Sequence, residues 1–161
     1  MRPLYRTISM LAFGAYLFVL IKLTLFRTSV TLFDIEFSQQ NGYITSLETA
    51  YSRANFIPFY SIYYYLISVQ EPILVGVLNV VGNILLYVPF GFLLPLVWRW
   101  AKTFRFCMWV LLGTSMFFEV LQLVLVLGHF DVDDTLLNGI GGALGYLFYL
   151  TGFRLMRFKE G

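Results

Sequence analysis

The feature that most constrains this chain is a run of 27 residues, 72 to 98, without a charged side chain. Three further stretches come close. Residues 7 to 21 are uncharged, and Lys22 is followed by four more uncharged positions; residues 106 to 128 are interrupted only by Glu119; residues 135 to 153 carry no charge. A helix needs about 20 apolar residues to cross a hydrocarbon core of roughly 30 Å. The spacing therefore predicts four spans, at about 6–26, 73–97, 104–127 and 134–154. No stretch alternates as an outer-membrane barrel requires, so helices are the default. Composition agrees, with 59% hydrophobic and only 12% charged residues, against roughly 25% charged in an average soluble domain. That excludes an ordinary soluble globule and a disordered chain. A net charge of +2 offers little field for phosphates, so no nucleic acid is expected as a partner. The lone Cys107 excludes an intramolecular disulfide and any multi-cysteine metal site. The expected fold class is all-α: a polytopic membrane protein forming one membrane domain over residues 1–161, a four-helix transmembrane bundle with an extracytoplasmic interfacial segment between spans one and two.

Lysine and arginine placement orients the bundle. Arg2 and Arg6 flank the first span, Arg99, Lys102 and Arg105 separate the second from the third, and Arg154, Arg157 and Lys159 close the fourth, so 8 of 11 basic residues share one side. Asp34, Glu36, Glu48, Glu71, Asp131, Asp133 and Asp134 fall on the other, with Arg27, Arg53 and a snorkelling Lys22. Both termini are expected inside. The Phe26-Arg27-Thr28-Ser29 stretch lacks a small-x-small cleavage site, so the first span is expected to remain attached.

Residues 27 to 72 form the one long outer loop. Its second half, from Ala54 to Ile67, is rich in Phe and Tyr, residues that favour the headgroup region. An aromatic helix in the interface plane fits, with Pro58 at or before its first turn and Pro72 opening span two. Arg53, Asn55, Phe56 and Pro58 are candidate lid residues.

Polar side chains inside the spans are the candidate site. Glu119 is expected roughly 13 Å below the outer end of span three, where a carboxylate costs about 2.5–3.5 kcal/mol. Gln122 shares its face. Asn79 and Asn83 are one turn apart on span two, and Asp134 and Asn138 one turn apart on span four. Inward-facing, these pairs would line a polar pocket opening outward; the alternative is a hydrogen-bond network that only joins helices. Asp131 and Asp133 with Glu119 suggest a hard cation, but their spacing matches no known loop, and Asp133 or Asp134 serves more simply as N-cap of span four. No cofactor or metal is expected, no catalytic residues are assigned, and His129 reads as a solvated loop histidine. Gly141 and Gly145 form a small-xxx-small packing pattern, and Pro89 and Pro95 are expected to kink span two.

With these residues in place, the chain resembles the VanZ-like family of bacterial membrane proteins. The resemblance rests on Asn83 followed by Pro89-Phe90-Gly91, on Glu119 with Gln122, on Asp131, Asp133, Asp134, Asn138, Gly141 and Gly145, and on Asn55-Phe56-Ile57-Pro58-Phe59. It covers about residues 53 to 150. Many members have an Arg after the outer-turn glycine, where this chain has Gly128-His129. The resemblance implies a bacterial cytoplasmic membrane and a role like that of the founding member, which is associated with low-level resistance to the glycopeptide teicoplanin.

Three functions compete. The first is binding of an amphiphile at the outer leaflet, with membrane lipids, a lipid-linked cell-wall precursor or a lipoglycopeptide as partner. The second is a membrane enzyme using Glu119 or Asp134 on a lipid or cell-wall precursor. The third is a non-catalytic structural subunit. No Ser-His-Asp order or glycine-rich phosphate loop supports the second.

Overall fold

The computed structural model describes residues 2–25, 43–67 and 73–158, with side chains from residue 4 to 25, 45 to 67 and 73 to 152. The sequence readings for residues 27–42, for Glu71 with Pro72, and for Lys159 lie outside them. Six α-helices cover most of the rest: α1 (Arg2–Leu25), α2 (Tyr43–Ser52), α3 (Tyr60–Ile67), α4 (Ile73–Val97), α5 (Phe104–Val124) and α6 (Val132–Phe158), with a 3-10 turn at Arg99–Lys102. Among the described residues, Leu4–Leu25, Ile73–Val97 and Phe104–Val124 are long and apolar enough to cross a membrane. The chain is an all-helical membrane protein.

The tightest packing joins α4 to α6, and glycine makes it. A Cβ on Gly141 would stand 2.0 Å from the Ile84 carbonyl oxygen, and one on Gly145 would stand 1.9 Å from that of Val88. Side chains there would force the backbones apart, so the small-xxx-small pattern sets the interhelical distance. Gly142, one residue on, turns towards Leu111 of α5. The α4 helix continues through Pro89 and Pro95. From α1, Tyr16 donates its hydroxyl to the Leu86 carbonyl at 2.8 Å. Phe13 meets Phe90 edge-on at 5.6 Å, and Leu20, Leu94, Cys107 and Leu111 complete a core with no solvent exposure.

The basic end and the acidic end separate as charge placement requires. Phe13 of α1 reaches Trp98 at the foot of α4, and Tyr146 of α6 donates its hydroxyl to the Lys102 carbonyl. The N-terminal half of α1, the basic turn and the later part of α6 thus share one end. At the other end, α5 stops in a Schellman arrangement: the Leu127 amide bonds the Gln122 carbonyl at 2.9 Å and the Val126 amide that of Leu123 at 3.2 Å. The left-handed position is usually glycine, yet here it is Val126, with φ 54°. A β-branched residue there stores strain of about 1–2 kcal/mol.

The interfacial helix begins at Tyr60, two residues after Pro58, as the sequence reading allows; before it, residues 54–56 form a strap that bends and turns through 57–59. Two other features differ from the sequence reading. The α2 helix was not expected; it buries Ser46 and Ala50, one turn apart. Because α5 ends at Val124 instead of 127, Glu119 lies five residues from its end, about 7.5 Å rather than 13 Å at 1.5 Å per residue.

Candidate functional site

The acids at the outer end organise two separate constructions. The first is a latch. Asn55 in the strap and Asp131 in the turn before α6 pair as a parallel bridge: the Asn55 amide bonds the Phe130 carbonyl at 2.8 Å, and the Val132 amide bonds the Asn55 carbonyl at 3.1 Å. Asn55 Nδ2 donates to Asp131 Oδ1 at 2.9 Å and to Ser61 Oγ at 3.0 Å. Asp131 Oδ1 also accepts the Asp133 amide at 2.9 Å. Since α6 begins at Val132, Asp131 is its N-cap, not Asp133 or Asp134 as the sequence suggested. Asp133 caps a different helix. Its carboxylate, 1% exposed, accepts backbone amides from Phe59, from Ser61 at 2.8 Å and from Ile62 at 3.2 Å. These are the orphan donors at the start of α3, and a negative charge meets the positive end of that helix. Phe59 holds φ 69° to aim its amide at the carboxylate. Phe56 stacks on Phe130 with ring centroids 5.0 Å apart, while its far side and Pro58 stay exposed.

Glu119 joins the latch from below. Its Oε2 accepts the Asp131 amide at 2.9 Å, and the residue is 3% exposed. The Glu119 carboxyl group thus holds the last peptide of the outer turn, just before α6. Among the described residues, no group of three His, Cys, Asp or Glu side chains stands close enough to hold a metal. The oxygens that the sequence offered to a hard cation face backbone amides.

The second construction is a pair of clefts. The larger, about 300 Å³, lies between α2, α3, α4 and the turn after α5. Ser46, Thr49 and Arg53 form one wall, Asn79 and Tyr65 another, and Gln122, Gly128, His129, Asp131 and Asp134 the floor and rim. Arg53 is exposed, and among the described residues its guanidinium has no carboxylate partner. The smaller cleft, about 190 Å³, sits deeper between α1, α4, α5 and α6, with Asn83, Tyr87, Glu119, Asp134 and Asn138 on its polar side. Gln122 and Asp134 line both.

The predicted site residues therefore divide. Asp134 is bonded by Asn83 Nδ2 from α4. Asn138 Nδ2 donates to Ser115 Oγ at 2.8 Å, whose own hydroxyl reaches Thr135 at 3.4 Å. Gln122 Nε2 donates to the Thr24 carbonyl at 2.8 Å and so ties α1 to α5. Asp133 and Asn55 belong to the latch, Arg53 and Asn79 to the larger cleft. Sequence reasoning missed Ser115, Thr135, Thr24 and Tyr87, because hydroxyls are ordinary in membrane helices and carry no signal of cost.

This arrangement of polar residues lies within a stretch with known relatives. A model of the VanZ/LLP1 family matches residues 13–156. The chain belongs to the VanZ/LLP1 family. Protein VanZ of Enterococcus faecium is 30% identical over 74 residues, 44% of this chain and 44% of that protein. The match thus spans less than half of that relative. No solved structure matches the chain. The family match runs from α1 to α6 and so contains the latch and both clefts, which makes them the place to seek what this VanZ-family chain does.

Proposed function

We propose that this protein lies in the bacterial cytoplasmic membrane with four spans and both termini inside. There it holds an amphiphile or lipid-linked cell-envelope component at the outer leaflet, and through that contributes to glycopeptide resistance of the teicoplanin type. The observation that carries the reading is the larger cleft. It opens at the acidic end and brings a cation, Arg53, together with the hydroxyls of Ser46 and Thr49 and the amides of Asn79 and Gln122. A purely structural subunit would use its polar groups on itself, as the latch does. Arg53 does not.

The topology rests on physical support of two kinds. The α6 helix has 27 residues, about 40 Å at 1.5 Å each, and lies along α4. Basic residues cluster at the end opposite Asp131, Asp133 and Asp134, as the positive-inside bias requires. The test is teicoplanin susceptibility of a sensitive host expressing wild type, Arg53→Ala or Glu119→Ala at matched membrane levels. Both variants are expected to lose protection. Full protection by Arg53→Ala at a normal membrane level would remove the cleft from the account.

A further inference from the structure

Three buried side-chain polar atoms have no hydrogen-bond partner among the described residues: Thr24 Oγ1, Tyr87 Oη and Asn138 Oδ1. All three residues line the same 190 Å³ cavity. Tyr87 is 1% and Asn138 4% exposed. The Ser115 hydroxyl stands close to that of Tyr87 without meeting it at full hydrogen-bond geometry. In native proteins nearly all buried polar groups are paired, so an orphan calls for a cause such as an unseen water or ligand. Three orphans around one space point to that space.

The chemistry of the walls says what would fill it. Two carboxyl groups, Glu119 and Asp134, join two hydroxyls and the side-chain amides of Asn83, Gln122 and Asn138; Asn83 donates to Asp134 and Gln122 to the Thr24 carbonyl, and no Lys, Arg or His lines the cavity. Such a set accepts hydrogen bonds and favours a positive charge. A bare metal ion needs six to eight oxygens within about 2.6 Å, and the acids are not clustered for that. The volume is about six times the roughly 30 Å³ share of one water. Leu23 and Leu86 supply an apolar wall beside the oxygens, which suits methylene groups. An ammonium supplies three donors for such acceptors, and those bonds are charge-assisted.

Building on the amphiphile reading above, we propose that the inner cavity seats the primary ammonium group of a membrane amphiphile. The anionic part of the same headgroup lies towards Arg53 in the adjoining cleft. Asp134 and Gln122, which line both spaces, stand where the headgroup would pass from one to the other.

The test titrates the detergent-solubilised full chain with short-chain phosphatidylethanolamine, its N-acetylated form and phosphatidylglycerol, reading bound lipid by native mass spectrometry. Phosphatidylethanolamine is expected to bind at least tenfold more tightly than either, a difference of about 1.4 kcal/mol. Soluble phosphoethanolamine is expected not to displace it at equal concentration; displacement would make the ligand a free small molecule and overturn the lipid-borne assignment. Tyr87→Phe removes only a hydroxyl that no described residue meets at full hydrogen-bond geometry, so it is expected to leave Tm within a degree or two of wild type while cutting the preference three- to tenfold. Saturable but equal binding of the three lipids overturns the ammonium site and leaves the proposed function standing. Absence of saturable binding by any of them likewise overturns the ammonium site, whereas the proposed function falls only if Arg53→Ala keeps full protection.

Discussion

Asp133 is where the account predicts a local failure that can be measured apart from global unfolding. Its carboxylate serves three backbone amides, those of Phe59, Ser61 and Ile62, while being 1% exposed. Asp133→Ala leaves all three donors without that acceptor. A buried donor stripped of its partner costs about 1–3 kcal/mol, so three would cost about 3–9 kcal/mol if the strap stayed in place. The strap has a cheaper course, because its amides are only part-buried and can turn to water. The expected cost is therefore that of releasing the latch, about 3–5 kcal/mol, in the range for breaking a buried charged network. Asp133→Asn keeps one acceptor oxygen but points an amide donor at other donors, and should cost about 2 kcal/mol. Hydrogen exchange of the full chain, read by mass spectrometry, separates these cases. Residues 54–67 should lose protection in Asp133→Ala and partly in Asp133→Asn, while α4 and α6 exchange as in the wild type. Unchanged protection of 54–67 in Asp133→Ala would refute the latch. Uniform loss across the chain would show that Asp133 holds the bundle rather than the strap.

Other expectations follow from the same geometry. Gly145→Ala puts a Cβ 1.9 Å from the Val88 carbonyl oxygen and should lower Tm sharply in a detergent melt, whereas Gly113→Ala, with nothing within 4 Å, should be neutral or raise stability by up to about 1 kcal/mol. Val126→Gly relieves a left-handed valine and should raise stability by about 1 kcal/mol in the same assay; a lower Tm would mean that the valine side chain matters more than its backbone strain. Phe56→Ala loses the stack on Phe130 and should cost about 1 kcal/mol, seen as faster proteolysis within residues 53–60.

The parts of this fold that carry an energetic penalty were legible in the sequence. Glu119 stood out because a carboxyl group in lipid is expensive, and the structure gives it a buried backbone amide to hold. The spacing of Gly141 and Gly145 was legible because only small residues let helices approach so closely. The strap was not. Its pairing with Asp131 spans 76 residues and depends on backbone hydrogen bonds, which side-chain identity does not encode. The end of α5 is hidden in the sequence for a related reason. An apolar run continues through Leu127, and nothing in a valine announces a left-handed turn. Asp131, Asp133 and Asp134 show the limit most clearly: one caps α6, one caps α3 and one faces two clefts, yet in sequence they are three acids within four residues.

The central claim is that the outer cleft receives an envelope amphiphile. It is tested most directly by a photo-crosslinking residue in place of Thr49, on the cleft wall, in living cells, with Val120 on the exposed face of α5 as the comparison site. The account predicts that Thr49 yields adducts dominated by one class of lipid or lipid-linked precursor, reduced by Arg53→Ala, while Val120 yields bulk lipid. The same adduct spectrum from both positions, unaffected by Arg53→Ala, would contradict it.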